Sequence, residues 1–122
     1  MERIREFTHS DKNFISIDFS GIHLINGFCG IIEQVELIIK KYPKKSVYTI
    51  TNINNTTFDS KIIAIFVDYL NFNKPYVIKG AIIGIDGIKK IMATNAMELS
   101  QRSNLLFCFS EEEAVNLLLD NS

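Results

Sequence analysis

The sequence predicts an α/β fold with a mixed, mostly parallel sheet, an N-terminal β-hairpin and flanking helices, in the order ββαβαβαβα. Three observations carry this. Two short β-like runs near the N-terminus are separated only by polar turn residues. From Ser46 onward, runs of β-formers alternate with segments whose apolar residues recur at three and four, the pattern of α/β folds. The run Ala81–Ile85 is almost wholly apolar, as suits a strand buried on both faces at the centre of a parallel sheet. A chain of 122 residues fits one domain, 1–122, with no linker, repeat or low-complexity tract inside it.

The elements follow in order. Residues 3–8 and 14–20 are expected as strands joined by the turn Ser10-Asp11-Lys12-Asn13, with Ile15, Ile17 and Phe19 inward. A helix over 26–42 places Phe28, Ile31, Ile32, Val35, Ile38, Ile39 and Tyr42 on one stripe. Asn26 is its expected N-cap, and Pro43 follows its end. Residues 46–53 form a strand through Val47, Tyr48, Thr49, Ile50 and Thr51. After the polar loop 54–57, a second helix over 59–72 buries Ile62, Ile63, Phe66, Val67 and Leu70, and Lys74-Pro75 closes it. Residues 77–85 form the third long strand, and a third helix is expected over 87–100. A short strand over 105–109 precedes Ser110 and Glu113, a capping box that opens the last helix. That helix should turn Ala114, Leu117 and Leu118 inward, and Ile82, Ile83 and Phe107 should be buried in the sheet.

Composition narrows the function classes. Thirteen Lys and Arg against fourteen Asp and Glu leave a net charge of −1, which argues against nucleic acid as a partner. Cys29 and Cys108 have no neighbouring cysteine, so the expectation is two buried thiols rather than a disulfide or a zinc site. The N-terminus lacks the apolar stretch of a signal peptide, and no apolar run is long enough for a membrane span, so a cytoplasmic location is expected. No GxGxxG or GxxxxGK[ST] pattern is present, so neither a nucleotide nor any other cofactor is expected.

Open α/β sheets form their sites beyond the carboxyl ends of the strands. That edge should gather His23 and Asn26, the segment 52–60, Asp86-Gly87 and Ser110. His9 and His23 are the only histidines, and a catalytic role for His23 would need a nucleophile and an orienting group beside it. Asp59 and Asp86 serve better as helix caps than as paired carboxylates. Lys40, Lys41, Lys44 and Lys45 form a basic cluster at a helix end, and Phe66, Tyr69, Phe72 and Tyr76 concentrate aromatic rings around the second helix.

The segment Phe58-Asp59-Ser60-Lys61-Ile62-Ile63, which follows a β-rich run and opens an amphipathic helix, resembles the corresponding stretch of STAS domains, the fold of bacterial anti-sigma-factor antagonists. The likeness extends over about residues 14 to 119. The run from Val77 to Lys90 is similar to a branch of STAS-like proteins grouped with lipid-binding Sec14-like domains. In STAS domains an Asp-Ser pair begins the second helix, and the serine is the target of a partner kinase. By position the resemblance implies Ser60 as that phosphorylation site and Asp59 as its acidic neighbour, while Lys61 and Ile62 stand where the family has a small residue and a glycine. The resemblance implies a regulatory, non-enzymatic module whose partner is a protein, an anti-sigma factor or a serine kinase. Its binding edge would comprise Asn54, Asn55, Thr57, Asp59, Ser60, Lys61 and Asp86. The alternative is a small binding domain for a lipid-like or apolar ligand lined by the Phe66–Tyr76 region.

Overall fold

The computed structural model describes residues 2–57, 59–84, 90, 94–95, 98 and 104–120. Five strands form one mixed sheet: β1 (Ile4–His9), β2 (Lys12–Asp18), β3 (Val47–Asn52), β4 (Val77–Ile83) and β5 (Leu105–Cys108). Their spatial order is their chain order, with β1 antiparallel to β2 and every later pair parallel. Among the described residues, three helices are continuous: α1 (Ile25–Ile39), α2 (Ser60–Asn73) and α3 (Glu111–Asp120). Most of the third expected helix lies outside the described residues, although Lys90, Thr94, Asn95 and Glu98 within its span are helical.

The hairpin turn is tighter than the sequence indicates. Ser10 and Asp11 both take positive φ, 52° and 64°, which is the geometry of a two-residue turn matched to strand twist. Lys12 and Asn13 therefore join β2, where they pair with His9 and Thr8. Helix α1 is shorter than its stripe and starts earlier. It ends at Ile39, and Lys40 to Tyr42 continue as turns well before Pro43.

β3 is the middle strand of the five, and β4, expected inside the parallel sheet from the run Ala81–Ile85, is likewise an interior strand. Val47 through Thr51 are all buried. Thr49 and Thr51 disguise the strand as half-polar, but the Thr51 hydroxyl lies 3.2 Å from the Tyr69 hydroxyl, so its burial leaves no unmet hydrogen bond. β4 lies between β3 and β5 and still buries Gly80 to Ile83.

The two faces of the sheet carry separate cores. On one, α1 and α2 pack Phe28, Val35, Ile62, Phe66 and Tyr69 against Ile15, Ile17, Phe19, Val47 and Ile82. Phe19 is the hub, stacked on Phe28 at 5.1 Å and edge-on to Tyr69 at 5.7 Å. On the other face, α3 brings Ala114 and Leu118 onto Tyr48, Ile50, Ala81, Ile83 and Cys108. Leu117, expected inward, is 37% exposed, because a helix laid on a sheet by an i, i+4 pair turns its neighbour aside. Phe107 is also only half-buried, since β5 is an edge strand, and the Lys90 ammonium lies 5.8 Å from its ring centre. Ile82 and Ile83 are buried as expected.

Candidate functional site

Three parallel strands deliver their following loops to one edge. After β3, the Asn52 side chain accepts from the Asn54 N–H at 2.9 Å, and the Thr56 hydroxyl donates to the Ile53 carbonyl at 2.8 Å. Asn55 takes a left-handed φ of 52° between them. These local bonds fold the loop on itself and turn Asn54, Asn55 and Thr57 to solvent. Gly84 supports the loop from β4. At φ 91°, a Cβ there would come within 2.6 Å of the Asn54 backbone nitrogen, so glycine is required on both counts.

The β2–α1 loop is joined to this one. The Gly21 N–H donates to the Asn54 carbonyl at 3.1 Å, and His23 Nδ1 lies 2.7 Å from the Thr57 hydroxyl. Helix α2 then starts with Asp59 as N-cap, its carboxylate accepting from the Ile62 N–H at 2.9 Å. Ser60 is the first helical residue. Asp59, Ser60 and Lys61 are all exposed.

The start of α1 lies beside the start of α2. His23, Leu24, Ile25, Asn26, Asp59 and Lys61 line one open depression of about 400 Å³. The expected cap of α1 is corrected here: Leu24 occupies the N-cap position, and Asn26 lies inside the helix. The helix begins earlier than the polar signal because the Leu24 carbonyl already accepts from the Gly27 N–H at 3.1 Å. Leu24 is 75% exposed and Ile25 36%. Leu24 lies outside the helix expected over 26–42, so neither stripe nor cap signal singles it out in the sequence. An N-cap residue is not helical, so its side chain need not follow the stripe of the helix it opens.

Of the expected edge, the structure therefore brings together Asn54, Thr57, Asp59 and Lys61 with His23 and Asn26, and leaves Ser60 exposed next to them. Asp86 and Gly87 lie outside the described residues. Ser110 acts as the cap of α3. Its hydroxyl accepts from the Glu113 N–H at 3.1 Å, and Glu113 reaches back to the Phe109 N–H at 3.1 Å.

A second cleft of about 220 Å³ opens at the carboxyl edge on the α3 face, among Arg3, Arg5, Asp18, Asn52, Asn54 and Glu111. Its arginines are engaged. Arg3 donates to the carbonyls of Asp18 and Ser20 at 3.1 and 2.8 Å, and Arg5 pairs with Glu111. This cleft ties the hairpin to the last helix.

The chemistry available at these sites is limited. The Thr57 hydroxyl beside His23 is half of a nucleophile–base pair, but no orienting group holds the other imidazole nitrogen among the described residues. No cluster of three His, Cys, Asp or Glu side chains suited to a metal ion occurs among them. Cys108 is buried, and its thiol is pushed up by burial and by the nearby Glu113 carboxylate. Cys29, expected buried, is half-exposed on α1. Tyr42 is raised to about 12 by burial and by its 2.7 Å hydrogen bond to Glu6. Phe66 and Tyr69 belong to the core, whereas Phe72 and Tyr76 pair at the surface with ring centres 6.2 Å apart. No helix among the described residues is long and apolar enough to cross a membrane.

No protein-family model matches the chain, and no curated protein matches it.

Proposed function

We propose that this chain is a STAS-like, non-catalytic regulatory module that binds a partner protein at the edge formed by the starts of α1 and α2. One observation carries the reading. Leu24, three-quarters exposed, shares a depression with Asp59 and Lys61 at the start of α2. An exposed large apolar side chain rimmed by charged and polar groups has the character of a protein-docking surface. The partner contacts are Asn54, Asn55, Thr57, Asp59, Ser60 and Lys61, with Leu24 and Ile25 as the apolar centre. The partner expected from the family resemblance is an anti-sigma factor or a serine kinase.

Two further points favour binding over catalysis or an enclosed ligand. The His23–Thr57 pair joins two loops and has no third member among the described residues. Phe66 and Tyr69, the rings nearest the middle of α2, are already used to fill the core between α2 and β2.

Phosphorylation at Ser60 regulates the module in this reading. A phosphate there sits at the positive end of α2 and beside Lys61, so it adds charge to the surface without unsettling the helix. Affinity capture from native lysate with wild type, Ser60→Ala and Ser60→Asp tests it. Ser60→Asp is expected to leave melting nearly unchanged and to recover the wild-type partner at least about tenfold less, equivalent to about 1.4 kcal/mol. Equal recovery by all three reduces Ser60 to an ordinary first-turn residue.

A further inference from the structure

The lysines that follow α1 have no part in the edge just described, and they stand beside an apolar groove at the opposite end of the helix pair. Leu37 of α1 is 57% exposed and Phe72 of α2 is 37% exposed. With Glu33, Glu36 and Lys40 they line an open depression of about 370 Å³. No ion pair engages these two carboxylates or this ammonium among the described residues. Lys41, Lys44 and Lys45 continue the exposed positive charge past the helix end.

We propose that this groove is a self-association surface occupied by a second copy of the chain, with the two α1 helices antiparallel across a two-fold axis near Leu37. The charge order along α1 supports that occupant. Acid precedes the apolar centre and base follows it, so reversing the direction of a second α1 sets each Lys40 opposite the other copy's Glu33. Both copies contribute Leu37 and Phe72 to the middle, as a self-complementary two-fold contact requires. Gly30 lies on the same side of α1 as Leu37, two turns before it. A Cβ at Gly30 would meet nothing within 4 Å, so its own fold does not need a glycine there, and a mid-helix glycine costs helix stability. A closely approaching second chain explains it.

The contact is small, so association is expected to be weak and concentration-dependent, with a dissociation constant on the order of 100 µM. Sedimentation equilibrium on the full chain across that range is the test. Leu37→Glu is expected to weaken association at least about tenfold, while melting stays unchanged because Leu37 is exposed. Glu33→Lys and Lys40→Glu are each expected to weaken it about fivefold, and the double variant to return within about twofold of wild type. A protein monomeric at every concentration overturns the proposal and leaves the groove to a different partner. A dimer indifferent to Leu37→Glu, or a double variant no better than the singles, overturns it equally.

Discussion

Helices α1 and α2 start at the same edge with similar backbone geometry and opposite chemistry. The N-cap residues Leu24 and Asp59 have φ of −115° and −110°, both extended. Asp59 uses that geometry to accept from the Ile62 N–H, whereas Leu24 makes no side-chain cap bond and points its isobutyl group at water. A leucine is among the poorest N-caps. The backbone would accept aspartate, so the fold gains nothing from leucine at this position. An apolar group held outward where a polar one would stabilise the helix makes sense as a contact for another protein. In the proposed partner-binding edge, α2 offers a capped, charged rim and α1 the apolar centre.

Substitutions test this difference, and the largest effect is expected in the core on the α3 face of the sheet. Ile83→Ala, at a site 4% exposed, is expected to cost about 2–5 kcal/mol by denaturant titration. A loss below about 1 kcal/mol would remove Ile83 from the core. Asp59→Ala deletes the cap of α2 and is expected to cost about 1 kcal/mol. Leu24→Asp should act in the opposite direction, stabilising the protein by about 0.5–1 kcal/mol, with its N-cap carboxylate also favoured by the helix dipole. Destabilisation by Leu24→Asp would mean that leucine contributes to the fold after all.

A pH dependence far from the edge gives a separate test. Tyr42 keeps its proton more tightly folded than unfolded, because burial and Glu6 raise it to about 12 from an ordinary value of 10. Its contribution to stability is therefore complete below pH 10 and is lost as pH rises from 10 to 12. Denaturation titrations across that window should show a shallower decline for Tyr42→Phe than for wild type. Identical slopes would show that the Glu6 contact does not hold the phenol.

Local chemistry was legible in the sequence, and long-range assembly was less so. The alternation of strands and helices, the antiparallel hairpin and the Ser110 cap follow from residue types at short spacing, and the structure has each of them, with Glu113 reaching back to the N–H of Phe109 instead of Ser110. Helix α2 is displaced by a single residue from its expected span because Asp59 itself is the cap. The burial of Thr49 and Thr51 is not readable from residue type, since only the fold brings Tyr69 to meet the Thr51 hydroxyl. The Arg5–Glu111 pair joins residues 106 apart, and no local pattern announces it. At the site, the capped start of α2 was readable from Asp59-Ser60. Leu24 was hidden, because it falls before the expected helix and a leucine carries no capping signal.

The central claim is that Leu24 and the start of α2 form one partner-binding edge. Parallel affinity capture from native lysate with wild type and Leu24→Asp, matched for folded protein, tests it most directly. Wild type is expected to recover a protein whose yield falls at least about tenfold with Leu24→Asp, even though that variant is the more stable of the two. Equal recovery of the same protein by both would contradict it.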